Sequence, residues 1–334
     1  MLGILRSFRS AFFRVSPLLE SVRVRFALTA AFLLITVPFY TLIIRPPTDF
    51  PAHEPVEVLR GATLREVAEF FESQRVVRSA FWLQNLVILF GGERGAQAGE
   101  YFFKEPTGVI SVAWALAHGE FGFDLVRVTL PEGTATVDIP SHFGTNFTKF
   151  SRDEFARVAA GKEGYLFPDT YFFPANVSAG GVVDAMLKNF EDKYARMERA
   201  ARAFGKLKSE VVIMASLLEE EARTTESRRT IAGILWKRLE MGMPLQVDAV
   251  FPYILGKNTY QLTRDDLAYD SPYNTYRYRG LPPGPITNPG LDALTAAVTP
   301  IATPYLYYLS DREGNMHYAK TFEEHVKNKE RYLR

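Results

Sequence analysis

Residues Phe26 to Ile44 form a run of 19 residues without one charged side chain, rich in Leu, Phe, Ala and Ile. No other stretch limits the fold so strongly. As a helix it covers roughly 30 Å, the thickness of a bilayer's hydrocarbon core. It has no polar face, so a core helix of a soluble domain fits it poorly. Pro38 lies within the run and can kink it, which membrane helices tolerate. Arg6, Arg9, Arg14, Arg23 and Arg25 precede it against the single acid Glu20. The positive-inside rule then puts the amino end in the cytoplasm and everything after Arg45 on the outer face. A cleaved signal peptide is the alternative, but Thr41-Leu42-Ile43-Ile44-Arg45 offers no small-residue cleavage site. The expectation is a cytoplasmic basic tail over residues 1–25 and a single-pass membrane anchor over 26–44.

Four prolines stand within residues 45–55, a composition that predicts a stiff, extended spacer. The remaining chain is long enough for two domains with real cores. A net charge of +1 with 47% apolar and 23% charged residues is that of an ordinary globular protein and predicts no nucleic-acid partner. The chain has no cysteine, which removes disulfides, thiolate metal sites and cysteine nucleophiles together. The five histidines (His53, His118, His142, His317 and His325) show no paired ligand spacing, so neither a metal nor a cofactor is expected.

From Pro55 to Thr63 the pattern is a short strand running into a glycine turn, and Leu64, Val67, Ala68, Phe70 and Phe71 then recur at helical spacing. A second, strongly apolar helix spans Ala80 to Phe90, with Gly91-Gly92 as its cap. Ala98 to Phe103 reads as a strand and Val109 to His118 as a helix closed by Gly119. The cue recurs after Leu125, where a strand is followed by Gly133, Thr134 and an expected helix. Gly164 to Tyr171 is aromatic and loop-like. A charged amphipathic helix follows from Val182 to about Lys206, with Gly205 near its end.

Val211 to Leu218 has the composition of a core helix, and it ends in Glu219, Glu220 and Glu221. Each helical step turns about 100°, so three consecutive acids cannot share one side. With Leu218 at the buried centre, Glu221 falls roughly 60° to one side, Glu219 roughly 100° to the other, and Glu220 points nearly away. One acid, Glu221, then sits at the rim of the apolar face. Partial desolvation and two acidic neighbours raise its pKa toward a value useful for general acid chemistry. A solvated acidic patch at a helix end is the plainer reading of this stretch taken alone.

A helix is expected to start with Thr225 or Ser227 as its cap, to run from Thr230 to Met241 and to stop at Gly242. Met243 to Val250 is extended and carries Gln246 and Asp248. Asp270 to Arg279 is a polar, aromatic loop, and Gly280 to Gly290 is so dense in proline and glycine that it can be neither helix nor central strand. Tyr273, Tyr276 and Tyr278 offer flat apolar faces and hydroxyls, while Asn274, Gln246 and Asp248 offer hydrogen bonds. Beside a carboxyl at an apolar edge and beyond a membrane anchor, this set favours a carbohydrate cleft.

These residues carry a resemblance. Ala215-Ser216-Leu217-Leu218-Glu219-Glu220-Glu221, Arg238-Leu239, Leu245-Gln246-Val247-Asp248, Tyr273-Asn274-Thr275-Tyr276, Gly280 to Ile286 and Tyr305 to Tyr308 resemble the membrane-anchored endolytic murein transglycosylases, the MltG or YceG-like family. Three positions differ from the family's usual pattern: Glu220 stands for Lys, Lys237 for Asn, and Ala249-Val250 for Pro-Thr with one residue missing. The first strand–turn–helix unit resembles, over about forty residues, a LysM module, with a purely structural α+β spacer as the alternative; the expected fold is α+β, with this small LysM-like module over 56–124 and a larger mixed α/β catalytic domain over 125–334. The family resemblance implies cleavage of the MurNAc–GlcNAc bond of peptidoglycan strands, with Glu221 as the catalytic residue and the muramic C6 hydroxyl as the nucleophile. Gln246, Asp248, Tyr273, Asn274, Tyr276, Glu219 and Glu226 are the candidate substrate-binding residues. Peptidoglycan synthases, the penicillin-binding proteins, are the implied partners. Two alternatives stand beside this: a hydrolytic muramidase using Asp248 or Glu226 as second carboxylate, and a non-enzymatic glycan-binding scaffold.

Overall fold

The computed structural model describes residues 22–91 and 95–333. The basic residues Arg6, Arg9 and Arg14, the acid Glu20 and the expected cap at Gly92 lie outside the described residues. The chain divides into two compact units, Met1–Phe123 and Asp124–Arg334.

The first unit begins with helix α1, Val22–Phe39, which continues through a π-helical turn, Tyr40–Ile44. Val24–Ile44 is the one helical segment among the described residues long and apolar enough to cross a membrane. Phe26, Phe32, Leu34 and Ile35 along it are all exposed, as a helix with no packed face must be. Pro38 removes one backbone donor, and the hydroxyl of Thr41 donates to Val37 O at 3.0 Å in the same turn.

The proline-rich stretch does not stand free as a spacer. Arg78 donates to Pro46 O at 3.1 Å, Phe50 is buried with its ring 5.8 Å from that of Phe103, and His53 N donates to Phe103 O. Proline stiffness extends this chain, and one arginine and one phenylalanine fasten it to the unit it leads into. Strand β1, Pro55–Val58, is followed by α2, Leu64–Ser73, and α3, Ala80–Gly91, and pairs antiparallel with β2, Gly99–Phe102. Thr63 and Glu66 close a capping box at the start of α2. Helix α4, Val109–His118, ends where Gly119 turns left-handed at φ 70°. Val58, Phe71, Leu83, Tyr101 and Leu116 meet in this unit's core.

The second unit mixes helices with two small two-stranded antiparallel sheets. Strand β3, Leu125–Thr129, pairs with β4, Thr170–Pro174, so the aromatic stretch expected as loop is a strand from Thr170 onward. The β-branched run of β3 supplies its partner. The helix expected after Thr134 does not form. Turns lead instead to a short 3-10 turn, Ile139–His142, because Thr134, Thr136 and Val137 are poor helix formers and Pro140 follows. Helix α5, Arg152–Val158, precedes β4, and α6, Ala179–Phe204, follows it and stops at left-handed Gly205. Helix α7, Lys208–Glu221, then leads to α8, Thr225–Glu240, whose cap is Thr224 rather than Thr225 or Ser227. The Thr224 hydroxyl accepts from Ser227 N at 3.2 Å. After α9, Val250–Leu255, α10, Arg264–Leu267, and α11, Leu291–Val298, the chain forms a hairpin of β5, Tyr307–Ser310, with β6, Met316–Ala319. Helix α12, Phe322–Tyr332, packs on it.

Helix α7 is the axis of this unit. All eight residues from Val211 to Leu218 are buried, with α6, α8 and α11 packed in the same core. A helix apolar on every side belongs at a centre, not at a rim. Burial of such side chains contributes roughly 1.5–3 kcal/mol each, so the position of its last turn is strongly fixed.

Candidate active site

The three glutamates occupy the end of α7, where the buried run gives out. Ser216 inside the helix donates to Ile213 O at 2.8 Å and accepts from Ile286 N at 3.1 Å. The proline-rich loop 280–290 is thereby tied to the helix by a buried hydroxyl. Gly164 (φ 83°) lies so close that a Cβ there would meet Pro285 and Val212. Asn288, also buried, accepts from Leu166 N at 2.9 Å and donates to Thr134 O and Glu163. These bonds make 280–290 an ordered wall.

Glu219 is part of the same framework. It pairs with Arg228 of α8 and accepts from Gly290 N at 2.8 Å, while Arg228 reaches Asp292 at 2.7 Å with its other amino group. Its carboxyl locks the end of α7 to α8 and α11 and is not free for a ligand. Glu220 faces solvent.

Glu221 has different neighbours. Tyr308 of β5 and the backbone N–H of Ala249 donate to its carboxyl, and the Asp248 carboxylate acts on it from nearby. Burial first, and the Asp248 charge second, push Glu221 up from the ordinary 4.5 to about 7, against the pull of the two donors. Asp248 in turn accepts from Tyr276 at 2.5 Å. Burial and the Glu221 and Asp248 charges keep the Tyr308 and Tyr276 hydroxyls protonated, as donors. Arg238 of α8 is buried behind this group. It donates to Leu306 O at 2.8 Å and Leu245 O at 2.6 Å, and lies over the Tyr307 ring at 4.9 Å. One guanidinium thus joins α8, the segment bearing Asp248 and the strand bearing Tyr308.

The segment from Leu245 to Ala249 alternates buried Leu245, Val247 and Ala249 with exposed Gln246 and Asp248. Gln246 sits at φ 52°, a conformation uncommon for a side chain of its size. Gln246 N donates to Thr275 O, and Val247 N to the Thr275 hydroxyl at 2.9 Å, which zips this segment to the tyrosine loop.

The structure brings Glu221, Asp248 and Tyr276 together, with Gln246 exposed beside them. Tyr273 lies against Tyr253, ring centroids 5.0 Å apart. Asn274 is a correction. It is fully buried, its amide donates to Leu267 O and Tyr269 O, and its carbonyl accepts from Tyr276 N. It folds the loop and presents nothing to a ligand. Glu226 lies on the exposed first turn of α8, near Tyr318, and is not among the groups that act on Glu221. The Tyr278 hydroxyl is engaged by Asp270 at 2.7 Å.

Residue reasoning missed the parts played by Tyr308, Arg238, Ser216 and Asn288. The signal available was an arginine inside an apolar helix and tyrosines in an apolar strand, both needing partners. The unusual residues have local explanations too. Lys237 reaches the carbonyls of Thr303 and Pro304 at 3.4 Å, and the shortened segment after Asp248 delivers the Ala249 N–H to Glu221. Among the described residues, no group of three or more His, Asp or Glu side chains is arranged to hold a metal ion.

Comparison with known proteins follows the same residues. The model of the YceG-like family matches residues 56–331. An endolytic murein transglycosylase of Bacillus subtilis (strain 168) is 31% identical over 307 residues, 83% of this chain and 84% of that protein. One of the same name from Streptococcus pneumoniae (strain D39) is 35% identical over 172 residues, half of this chain and 31% of its own. A solved YceG-like protein from Listeria monocytogenes superposes with a TM-score of 0.57 at 26% identity, covering 82% of this chain and 98% of that one.

Proposed function

The chain belongs to the YceG-like family, and from that premise we propose that it is a lytic transglycosylase cleaving peptidoglycan glycan strands internally at the MurNAc–GlcNAc bond. The observation that carries this reading is the Glu221 carboxyl, held near neutrality at the end of a buried helix with Tyr308 and Ala249 fixing its orientation.

A carboxyl with a pKa of about 7 is protonated often enough to serve as an acid and basic enough to take a proton back. In the first half of the reaction Glu221 gives its proton to the glycosidic oxygen as the C1–O bond breaks. In the second half the muramic C6 oxygen bonds to C1, and the Glu221 carboxylate takes the hydroxyl proton. The product is a 1,6-anhydro ring and the acid is restored. Because the nucleophile belongs to the same sugar, no second carboxylate has to activate water, and the intramolecular geometry lowers the entropic barrier. Asp248 keeps Glu221 protonated and offers negative charge to the oxocarbenium character developing at C1. Gln246, Tyr273 and Tyr276 are the proposed glycan contacts.

The proximity of Asp248 also supports a second reading, hydrolysis with Asp248 activating water. Mass spectrometry of peptidoglycan digests separates the two: anhydromuramic ends for transglycosylation, reducing ends for hydrolysis. Glu221→Gln is expected to abolish both, and anhydro-ended fragments from that variant would overturn the assignment. The apolar helix supports a membrane anchor with its amino end in the cytoplasm and the second unit on the outer face. There the enzyme would limit strand length beside the synthases, with the βααβ arrangement of residues 55–102 as a LysM-like module.

A further inference from the structure

We propose that a cavity in the second unit, separate from Glu221, is a subsite for a neutral N-acetylated hexosamine of the same glycan strand. The inference rests on the reading of the chain as a peptidoglycan-cleaving enzyme and deepens it by assigning where the strand is gripped away from the bond being cut.

The cavity measures about 600 Å³ and lies between the 3-10 turn, α5, the amino-terminal half of α7 and the loop 283–285. That volume is in the range of small-molecule sites. Its lining is chemically mixed. Val137, Pro140, Phe155, Ala156, Ala159 and Ala160 supply apolar lining. Tyr253, Tyr273, Tyr165, Ser209 and Glu163 add polar side chains to the same lining, and the Tyr273 hydroxyl lies close enough to Gly284 that a Cβ there would meet it. An acetamido sugar matches this mixed lining. Its methyl group seeks apolar surface, its ring stacks on aromatic faces, and its hydroxyls and amide need hydrogen-bond partners.

Charge narrows the class further. Among the described residues no Lys, Arg or His lines the cavity, so a phosphate or a free carboxylate would enter without a counter-ion from them. Glu163 does not invite a cation either. Thr136 N donates to both its oxygens, at 3.0 and 3.1 Å, and the Asn288 amide adds another bond at 3.0 Å. Burial pushes the carboxyl up to about 7 in spite of those donors, so it resists holding charge. What remains is a carboxyl that, when protonated, can donate to a sugar hydroxyl.

The position suits a strand that continues through the site. Ile213 borders the cavity and Glu221 ends the same helix, a separation of about 12 Å at 1.5 Å per residue. Tyr273 lines the cavity, and Tyr276, one turn of the same loop away, holds Asp248. A short oligosaccharide spans that interval; a single ring does not. Binding away from the scissile bond is what an enzyme that cuts within strands requires.

The test is calorimetric titration of the full chain in detergent, carrying Glu221→Gln so that nothing turns over. Tetra-N-acetylchitotetraose is compared with its fully de-N-acetylated, cationic counterpart. The acetylated tetramer is expected to bind, and the cationic one at least roughly tenfold more weakly. Ala160→Trp, at an exposed position, fills the cavity and should weaken the acetylated ligand at least roughly tenfold with an unchanged melting temperature. Tyr253→Phe, which removes only a hydroxyl, should weaken it by a smaller factor. No binding of the acetylated tetramer, unaltered affinity in Ala160→Trp, or equal or tighter binding of the cationic oligomer overturns the subsite. The function itself is judged separately, by whether Glu221→Gln still releases anhydro-ended fragments, so the two failures are distinguishable.

Discussion

Replacing Asp248 by Asn removes one negative charge and little else. The amide keeps an oxygen that can accept from Tyr276, as the carboxylate does at 2.5 Å, and the alternation of buried and exposed residues around it is unchanged. In the native site Glu221 stands at about 7, raised from 4.5 chiefly by burial and next by the Asp248 charge. Without that charge its pKa should fall by on the order of one pH unit, equivalent to about 1.4 kcal/mol of relief for the ionised form. An acid must be protonated to give up its proton, so the alkaline limb of kcat/KM should move from near pH 7 toward pH 6. At pH 7 the protonated fraction then drops from about half to about a tenth, a roughly fivefold loss of activity from protonation alone. The assay is release of anhydro-ended fragments from purified glycan strands between pH 5 and 9. Tyr308→Phe supplies the opposite sign. Its hydroxyl stabilises the carboxylate, so its loss should raise the Glu221 pKa and carry the limb upward, alongside a lower maximal rate from the looser carboxyl. A limb that stays put in Asp248→Asn, or that moves the same way in both variants, refutes the electrostatic account of the site.

Stability should record the same shift. Glu221 binds its proton more tightly folded, at about 7, than unfolded, near 4.5. The associated stability is therefore complete below the lower value and lost as pH climbs to the upper, about 3 kcal/mol in all. Denaturant unfolding should accordingly show Glu221→Gln gaining about that much on the native protein between pH 4 and pH 8, and an equal gap at both pH values would count against it. Arg228→Ala strands the buried Glu219 and should cost about 3 kcal/mol, with Arg228→Lys recovering less than half because one ammonium cannot span Glu219 and Asp292; melting curves decide this. Gly233→Ala places a Cβ 2.1 Å from the Ile301 carbonyl oxygen, and since that oxygen is backbone, a loss on the order of 3 kcal/mol is expected in the same measurement.

Local signals carried the sequence reading where they existed. The apolar amino-terminal helix, the stops of α4 and α6 at Gly119 and Gly205, and the buried character of α7 all follow from composition and caps within a few residues. Strand β4 was illegible because what makes it a strand is its pairing with β3, a partner some forty residues earlier. The helical wheel singled out Glu221 by assuming one buried face. In the structure α7 has no exposed face between Val211 and Leu218, and its acids diverge only in the last turn, where Glu219 and Glu221 meet different segments and Glu220 is exposed. Asn274 looked like a ligand-binding group because a polar side chain among tyrosines gives no sign of its direction. It points inward to satisfy Leu267 and Tyr269. Tyr308 lies too far along the chain for any spacing rule to connect it to Glu221.

That last separation bears on when the enzyme can become active. Glu221 is synthesised with α7, but its orienting hydroxyl comes from β5, and the arginine behind both is held by Leu306. During translation the acid emerges well before the strand that aims it. A nascent chain, or one clipped between α11 and β5, would carry the glutamate without its Tyr308 donor. Under the proposed function this order of assembly is a safeguard for the wall the enzyme would cut: unfinished or damaged copies are left with a misaimed acid.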